Sequence, residues 1–440
     1  MGIPVAPQPA FLMTMGDGTI KQVNPSTGTR VWTVSGRSER PLPREDKNSG
    51  PVSDTDWTHA CAFCSARYLE TPPEKSRIIR DRWQLLENTP AEQLFETLAE
   101  FRVVPNLFEI VSYAYWHENY GFELTQAEAA RKLHYLSTDQ GRRHVMAVQS
   151  AKMRLAGKSS EEIASMDHDR IIEQADSFFG GGHDVVIARR HWADGARSTA
   201  ELASAGCLSV EEHEQYTRLT IHTMNNLYQT NPHVRYVAVF QNWLQAAGAS
   251  FDHLHKQLVA IDEHGDNVDR VISRVRANEN FFNDSGVNYA IDQNLLIAEN
   301  DGAVAFAGFG HRYPTIEIFS KSSHVYPWEH TDLEVREMSN LIHAIHAASG
   351  REVPCNEEWH HVPPQVGEPM PWRINIKWRV STVAGFEGDT KIYINTLSPY
   401  HIKEQVTARL LELRAQGIIA PLRIGDECST TKDCLKYASQ

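Results

Sequence analysis

The five residues from His253 to Gln257, with the letters HLHKQ, constrain the fold of this chain more than any other segment. They follow the small residues Gly248 to Ser250 and have the pattern of a strand. In an extended strand, side chains at every second position share one face. The sequence therefore predicts that His253, His255 and Gln257 point the same way, and that the two residues between them point the other way.

This row of side chains suits phosphorus chemistry. A neutral imidazole can attack phosphorus and leave again, which splits one phosphoryl transfer into two steps. The small residues before the strand allow a ligand to approach the backbone, and the amide of Gln257 can hold a phosphate oxygen as charge develops on it. The alternative is that both histidines are only packed inside a sheet. Because the glutamine and the small loop accompany them, we favour a histidine that attacks a nucleotide phosphorus.

A cysteine pair, Cys61 and Cys64, has the two-residue gap that lets two thiolates bind one zinc ion. A tetrahedral site needs two more ligands, and histidines are the obvious candidates. The alternative is a redox pair, but the strand-to-helix context of thioredoxin-like proteins is missing from the sequence. The spacing therefore favours a metal. We assign no role to the remaining cysteines.

Length and composition set the broad class. The chain has 440 residues, enough for two domains or one duplicated unit, and 41% of them are hydrophobic, as in ordinary globular proteins. The net charge of −13 argues against a protein that wraps nucleic acid. No apolar run approaches the roughly 20 residues that cross a bilayer, and the start lacks a secretory signal. Six cysteines in so long a chain do not form a disulfide framework. We therefore expect no nucleic-acid partner, no membrane contact and a cytoplasmic location.

Turn and capping signals divide the chain into elements. The sequence predicts a polar loop over residues 36–58 and a helical stretch from about 120 to 178 that the triple glycine at 180–182 stops. Serine or threonine followed three residues later by glutamate predicts helix starts at Thr125, Ser159 and Ser209. Strands are predicted over 102–108, 183–191, 235–243, 315–324 and 372–380, and later helices over 332–348 and from Ser398 to about 417. The order of strand, helix, strand, helix recurs in the second half, which hints at a duplication.

Six segments, taken in this order, resemble the galactose-1-phosphate uridylyltransferase family within the histidine-triad superfamily. The segments are Asn24 to Pro41, CAFC at 61–64 with TPPE at 71–74, RVVPNLF at 102–108, HDVVIARRH at 183–191, SFDHLHKQ at 250–257, and Ala384 to Pro399. The chain is a divergent member, because Leu254 and Lys256 stand where the family signature has proline and glycine. Lys256 is expected to face away from the chemistry, at a surface or an interface.

The resemblance implies an α+β fold of two related histidine-triad-like halves, each an antiparallel sheet flanked by helices. The first half, residues 1–270, would carry the zinc site, the HxHxQ segment and the helical insertion. The second half, 271–440, would carry a substrate-binding segment.

The resemblance also implies a role for individual residues. His255 would be the nucleophile, with Gln257 and Ser250 steadying the phosphate oxygens. One structural zinc ion per chain would be bound by Cys61, Cys64, His191 and His253. Substrate would be bound by Arg37, Arg40, Asn106, Asn242, Phe386 and Glu387.

The implied reaction transfers a nucleoside monophosphate from a nucleotide sugar, or another nucleoside diphosphate, to a sugar 1-phosphate through a covalent nucleotidyl-histidine. A homodimer is expected, because the family builds each site across a dimer. Alternatives are a dinucleoside polyphosphate phosphorylase or adenylyltransferase with inorganic phosphate as acceptor, and a hydrolase with water as acceptor. A non-catalytic nucleotide sensor of the same fold is the alternative from another class.

Overall fold

The computed structural model describes residues 10–34 and 49–438. Within them the chain forms two compact units. Unit 1 takes residues 10–34, 265–357 and 366–438, and unit 2 takes 49–264 and 358–365. The division of the chain into related halves at residue 270 stays a prediction.

The strands are short and mostly antiparallel. They are β1 Leu12–Thr14, β2 Ile20–Val23, β3 Arg30–Thr33, β4 Ser76–Ile79, β5 Gln84–Glu87, β6 Ala99–Pro105, β7 His183–Ala188, β8 Tyr236–Trp243, β9 His255–Ile261, β10 Leu296–Glu299, β11 Ala303–Ala307, β12 Thr315–Ser320, β13 Cys355–His360, β14 Arg373–Trp378, β15 Ile392–Asn395 and β16 Arg423–Ile424.

The α-helices range from a single turn to about six turns. They are α1 Asp56–His59, α2 Tyr113–Tyr120, α3 Gln126–Leu136, α4 Asp139–Leu155, α5 Ser160–Ala164, α6 His168–Glu173, α7 Ser177–Gly180, α8 Val210–Thr230, α9 Asp266–Ala277, α10 Asn288–Asp292, α11 Asp332–Ser349, α12 Gly385–Thr390 and α13 Pro399–Ala415. No helix in the described ranges has the length and apolar character needed to span a bilayer.

Unit 2 contains an antiparallel run of strands in the order β8-β9-β7-β6-β4-β5. In the register of β7 and β9, Ile187 lies opposite His255 and Val185 lies opposite Gln257. Because paired residues of antiparallel strands share a face, alternate residues of β7 from His183 onward lie on the same face as the predicted catalytic row. The long helix α8 packs on the sheet and contributes buried residues along its length.

The helical stretch predicted from about 120 to 178 is present as five separate helices, α3 to α7, and α2 precedes it. The capping boxes at Thr125 and Ser159 are formed, and the last helix ends at Gly180, as the triple glycine predicts. Behind them lies an apolar cluster that includes Tyr135 and Phe179. The insertion is therefore a packed helical layer with its own core.

Unit 1 contains a second antiparallel run, β16-β10-β11-β12-β14, against which α11 and α13 pack. A separate sheet in the order β1-β2-β3-β15 includes one parallel pair, β3 with β15. Helix α13 begins after the N-cap Ser398, whose hydroxyl accepts from the amide of His401, and with Pro399 in its first turn, as predicted. The α+β class with large antiparallel sheets is confirmed.

The strand limits differ from prediction where a histidine was placed inside or at the end of a strand. Strand β9 begins at His255, two residues after His253, and β7 ends at Ala188, before His191. Strand β12 likewise ends at Ser320, before His324. In unit 2 the reason is physical, because the two histidines leave the ladder to approach the cysteine pair.

Candidate active site and metal cluster

Four side chains of unit 2 converge on one point: Cys61, Cys64, His191 and His253. The cysteines lie on a tight turn closed by the Cys64 amide, which donates to the Cys61 carbonyl at 3.0 Å. His191 follows the end of β7 and His253 precedes β9. The potential ligand atoms all lie within 4.8 Å of one another, so the cluster can bind a metal ion.

The spacing of these atoms fits a tetrahedral zinc site. With Zn–S near 2.3 Å and Zn–N near 2.0–2.1 Å, tetrahedral angles place two sulfurs about 3.8 Å apart and a sulfur and a nitrogen about 3.6 Å apart. The two sulfurs are 3.9 Å apart. Cys61 Sγ lies 3.5 Å from His191 Nδ1 and 3.3 Å from His253 Nδ1. The donor set of two sulfurs and two nitrogens is that of closed structural sites.

The two thiols shift each other's pKa in opposite directions. The hydrogen bond from Cys61 lowers the pKa of Cys64, whereas that same bond, together with burial, raises the pKa of Cys61. His253 is held from its other side, since its Nε2 donates to the Ala188 carbonyl at 2.6 Å. This bond leaves the Nδ1 lone pair facing the sulfurs, which is the orientation that a metal ligand requires.

His255 begins β9 and is buried, with 4% of its surface exposed. Its Nδ1 donates to the carbonyl of His253 at 2.7 Å, which places the proton on Nδ1 and leaves the lone pair on Nε2. Nε2 makes no hydrogen bond to any residue that the structure describes. Burial lowers the pKa of His255 to about 4, so the ring is neutral near pH 7. The ring of Phe63 packs edge-on at 5.3 Å.

Gln257 lies two positions further along the strand and is half-buried. Its Oε1 lies 3.1 Å from His183 Nε2 and 3.5 Å from Asn106 Nδ2. Asn106, which follows the end of β6, thus lies beside the side chain of Gln257. In the sequence His183 is only the first residue of a predicted strand, and its contact with Gln257 was not predicted. The register of β7 against β9, which places His183 on the same face as Gln257, would have been needed to predict this contact.

Two residues predicted to contact the phosphate and the nucleotide, Asn242 and Ser250, lie before β9 in the chain. Asn242 is half-buried at the end of β8, with its Nδ2 3.5 Å from the Gly248 carbonyl. The loop turns through positive φ at Leu244 (67°) and Gly248 (92°), and the second of these suits a glycine. Ser250 is exposed, and no residue in the described part of the chain bonds its hydroxyl.

The remaining predicted residues belong to unit 1 or fall outside the described residues. Arg37 and Arg40 lie outside the described residues. Phe386 and Glu387 lie on α12 of unit 1, where Phe386 is 48% exposed and Glu387 accepts from the Ala384 amide at 3.1 Å. The predicted site residues described in unit 2 are the four cluster residues, His255, Gln257, Ser250, Asn106 and Asn242.

Lys256 faces away from His255, as predicted, but the expected surface or interface position is wrong. The side chain is fully buried, with its ammonium 4.8 Å from the centre of the Tyr216 ring and 5.7 Å from that of Trp359. A long aliphatic stem with a cation over aromatic faces can be buried at low cost. The face of the sheet that carries α8 therefore accommodates a lysine where the family signature has glycine.

Comparison with known proteins gives one family model and several relatives. The model described as a domain of unknown function (DUF4921) matches residues 15–437. An ADP-glucose phosphorylase from Arabidopsis thaliana is 29% identical over 384 residues, which cover 84% of this chain and 88% of the relative.

Two solved structures share the fold over most of the chain. The crystal structure of an ADP-glucose phosphorylase from Arabidopsis thaliana with bound ADP-glucose has a TM-score of 0.56 at 19% identity, covering 88% of this chain and 97% of that one. The X-ray structure of a GalT-like protein from the same plant has a TM-score of 0.55 at 19% identity, with the same coverage. The predicted resemblance to the galactose-1-phosphate uridylyltransferase family, as a divergent member, is confirmed.

Proposed function

We propose a nucleotidyl-transfer reaction at His255 for this chain, which belongs to the family described as a domain of unknown function, DUF4921. One observation carries the proposal. His255 donates from Nδ1 to the His253 carbonyl, so that a neutral ring presents the Nε2 lone pair beside the amide of Gln257. An imidazole fixed in this tautomer is arranged as a nucleophile.

In the first step, Nε2 of His255 attacks the α-phosphorus of a nucleoside diphosphate sugar. The N–P bond forms, the bond from the α-phosphorus to the bridging oxygen breaks, and sugar 1-phosphate leaves. The Nδ1 proton stays on the ring and remains hydrogen-bonded to the His253 carbonyl. The amide of Gln257 donates to a non-bridging oxygen as negative charge grows there. In the second step an acceptor oxygen attacks the same phosphorus and the N–P bond breaks.

We propose an adenine nucleotide sugar such as ADP-glucose as donor and inorganic phosphate as acceptor. The name of the 29% identical relative, an ADP-glucose phosphorylase, supports both choices. A uridine nucleotide sugar with a sugar 1-phosphate as acceptor, as the family resemblance implies, is the second candidate.

We propose zinc as the ion of the four-residue cluster, supported by the sulfur and nitrogen donors and their spacing. With four protein ligands the ion would have no open position, so its contribution would be structural. His253 and its carbonyl would then be fixed relative to the cysteine turn. Through that carbonyl the cluster orients His255.

The remaining predictions stay proposals. Ser250 and Asn242 would contact the phosphate and the nucleotide, together with Asn106, Arg37 and Arg40. Phe386 and Glu387 would contact the substrate, and the exposed ring of Phe386 is compatible with this role. We also propose a homodimer and a cytoplasmic location, the latter supported by six cysteines that form no disulfide.

The experiment is intact-mass spectrometry after incubation with ADP-glucose, UDP-glucose and a dinucleoside polyphosphate. We expect one nucleoside monophosphate on the wild-type protein from ADP-glucose, and none on His255→Ala. His168→Ala, which removes an exposed histidine of the helical insertion, is the matched control and should keep the adduct. Adding phosphate to the isolated adduct should release ADP.

Other outcomes identify the alternatives. An adduct only from UDP-glucose, released by a sugar 1-phosphate, would move the assignment to uridylyl transfer. An adduct that decays without added phosphate would indicate a hydrolase. The sensor alternative has one observation in its favour, the low exposure of His255, and tight donor binding without any adduct would establish it and remove the catalytic proposal.

A further inference from the structure

His183 lies on the same face of the sheet as Gln257, one strand away. It is buried, with 1% of its surface exposed, at the start of β7. Its backbone carbonyl accepts from the Asn106 amide at 2.7 Å, which holds the end of β6 beside it. Its ring contacts Gln257 on one side and the loop after β6 on the other.

Two backbone amides decide which groups donate in this network. Nδ1 of His183 faces the Ile110 amide at 3.2 Å, and an amide N–H can only donate, so Nδ1 is the acceptor. Burial lowers the pKa of His183 to about 4, so the ring is neutral near pH 7 and carries its single proton on Nε2. Asn106 is fixed in the same way, because its Oδ1 accepts from the Phe108 amide at 2.9 Å.

Nε2–H of His183 therefore donates to Gln257, and Gln257 must present its oxygen to it. The 3.1 Å separation of His183 Nε2 from Gln257 Oε1 has this orientation. The side-chain Nδ2 of Asn106 lies 3.1 Å from the same His183 Nε2 and 3.5 Å from Gln257 Oε1, and because Asn106 Nδ2 is also a donor, both groups donate to the Gln257 oxygen. With its oxygen engaged, Gln257 keeps its Nε2–H₂ for another acceptor. That group makes no hydrogen bond among the residues that the structure describes.

We propose that His183 is a positioning residue, which holds the Gln257 amide so that its N–H bonds point to the phosphoryl oxygen at His255. The proposal rests on the proposed nucleotidyl transfer. Without the ring, the Gln257 side chain can rotate and present its oxygen, which repels a phosphate. A donor that is already oriented avoids this reorganisation during the reaction.

A purely structural role would be to hold the loop at Ile110, and two amide substitutions separate it from the positioning role. In His183→Asn the short amide oxygen takes the place of Nδ1, so the Ile110 bond stays and the bond to Gln257 is lost. In His183→Gln the longer side chain places an N–H near the position of Nε2, so the bond to Gln257 stays and the Ile110 bond is lost. The two hypotheses thus predict opposite orders of activity.

The measurement is the single-turnover rate of adduct formation with ADP-glucose, together with its dissociation constant. We expect His183→Asn to lower the rate by roughly 10- to 100-fold, somewhat less than the loss of a complete oxyanion donor. Binding of ADP-glucose should change much less. His183→Gln should recover most of the lost rate although its thermal stability is lower.

Two further proteins complete the test. In a Gln257→Ala background the His183→Asn substitution should have no additional effect, because the ring acts through Gln257. His144→Asn is the structural control: this buried ring bonds Tyr135 of the helical layer and the carbonyl of Thr71, so its loss should lower stability but not the rate.

The outcomes are distinguishable. If the wild type forms an adduct and His183→Asn is as fast as His183→Gln or faster, the positioning role is wrong while the nucleotidyl transfer stands. The same holds if His183→Asn slows the Gln257→Ala protein further. If the wild type forms no adduct from any donor, the proposed function fails and takes the role of His183 with it.

Discussion

At the scale of single residues, Glu109 is a carboxyl group held where a charge is unfavourable. Its Oε2 accepts from the Tyr113 amide at 3.1 Å, at the start of α2, while its Oε1 is buried without a hydrogen bond. A Cβ on residue 181 would lie 2.4 Å from that oxygen, so the carboxyl group fits there only because residue 181 is glycine. Burial raises the pKa of Glu109 from 4.5 to about 7.

This pKa predicts a stability that falls as pH rises. Between pH 4.5 and about 7 the unfolded carboxyl releases a proton that the folded protein retains, so unfolding becomes easier across this window. Glu109→Gln keeps the acceptor for Tyr113 and removes the charge. We expect the variant to match the wild type at pH 4.5 and to exceed it by about 2–3 kcal/mol at pH 8.

Urea unfolding at the two pH values measures this difference. Glu263→Gln, which removes an exposed carboxyl from the same unit, should show no such pH dependence. Equal stabilities of Glu109→Gln and wild type at both pH values would contradict the prediction.

Local sequence pattern predicted part of the site at this scale. The alternation at His255 and Gln257 and the gap between Cys61 and Cys64 are readable without a fold. His183 and Glu109 were not predictable, because their importance depends on partners 74 residues and 4 residues away that only the register of two strands and the start of a helix bring into contact.

At the scale of elements, helix α8 shows how well capping predicts a boundary. Ser209 accepts from the Glu212 amide at 3.1 Å, and Glu212 accepts from the Ser209 amide at 2.7 Å. We expect Ser209→Ala to lower the free energy of unfolding by about 1 kcal/mol, because one amide of the first turn loses its acceptor. The rate of adduct formation should be unchanged, since α8 packs on the sheet face opposite His255.

Chemical denaturation measures the loss. Ser159→Ala removes the corresponding cap from α5, which has only five residues, and should cost less than Ser209→Ala. A larger loss at Ser159 than at Ser209 would show that cap strength does not follow the packing of the helix behind it.

Element limits were less predictable than element types. The stretch from 120 to 178 was correctly predicted as helical, but it is divided at the C-caps of four helices, Ser137, Ala156, Ser165 and Gln174. Strands β7 and β9 are shorter than predicted at the ends that face the cysteine pair. Residues 189–191 and 253–254 contain no turn-forming residue, so the sequence pattern alone does not reveal that side chains there have left the ladder.

At the scale of the whole molecule, the cysteine and histidine cluster links segments far apart in the chain. Cys61 and His253 are separated by 192 residues, and Cys61 and His191 by 130. Because a bound ion would join them only in the folded state, its binding free energy contributes to folding. We expect about one zinc ion per chain. We also expect Cys61→Ser to lose it, with the unfolding midpoint lower by roughly 10 °C.

Elemental analysis and thermal unfolding check this prediction. Cys207→Ser is the matched control, because that thiol lies near Ser204 and outside the cluster. A well-folded wild-type protein that contains no zinc would remove the metal assignment.

The overall class was predictable because its signals are numerous: alternating strands, capped helices and six ordered segments that resemble one family. The pairing of β3 with β15 was not, since strands this far apart in the chain leave no local trace of each other. It places the described N-terminal strands in unit 1, with residues from the end of the chain.

One residue of unit 2, His253, has two functions. Its ring faces the cysteines, and its carbonyl holds the ring of His255 by a hydrogen bond. The interval between the two histidines therefore cannot drift. A single inserted or deleted residue there would turn the second ring to the opposite face of the sheet, whatever residue was added. A substitution at the buried Leu254 changes packing but keeps this interval, so among variants that retain chemistry the length between the two histidines should stay constant.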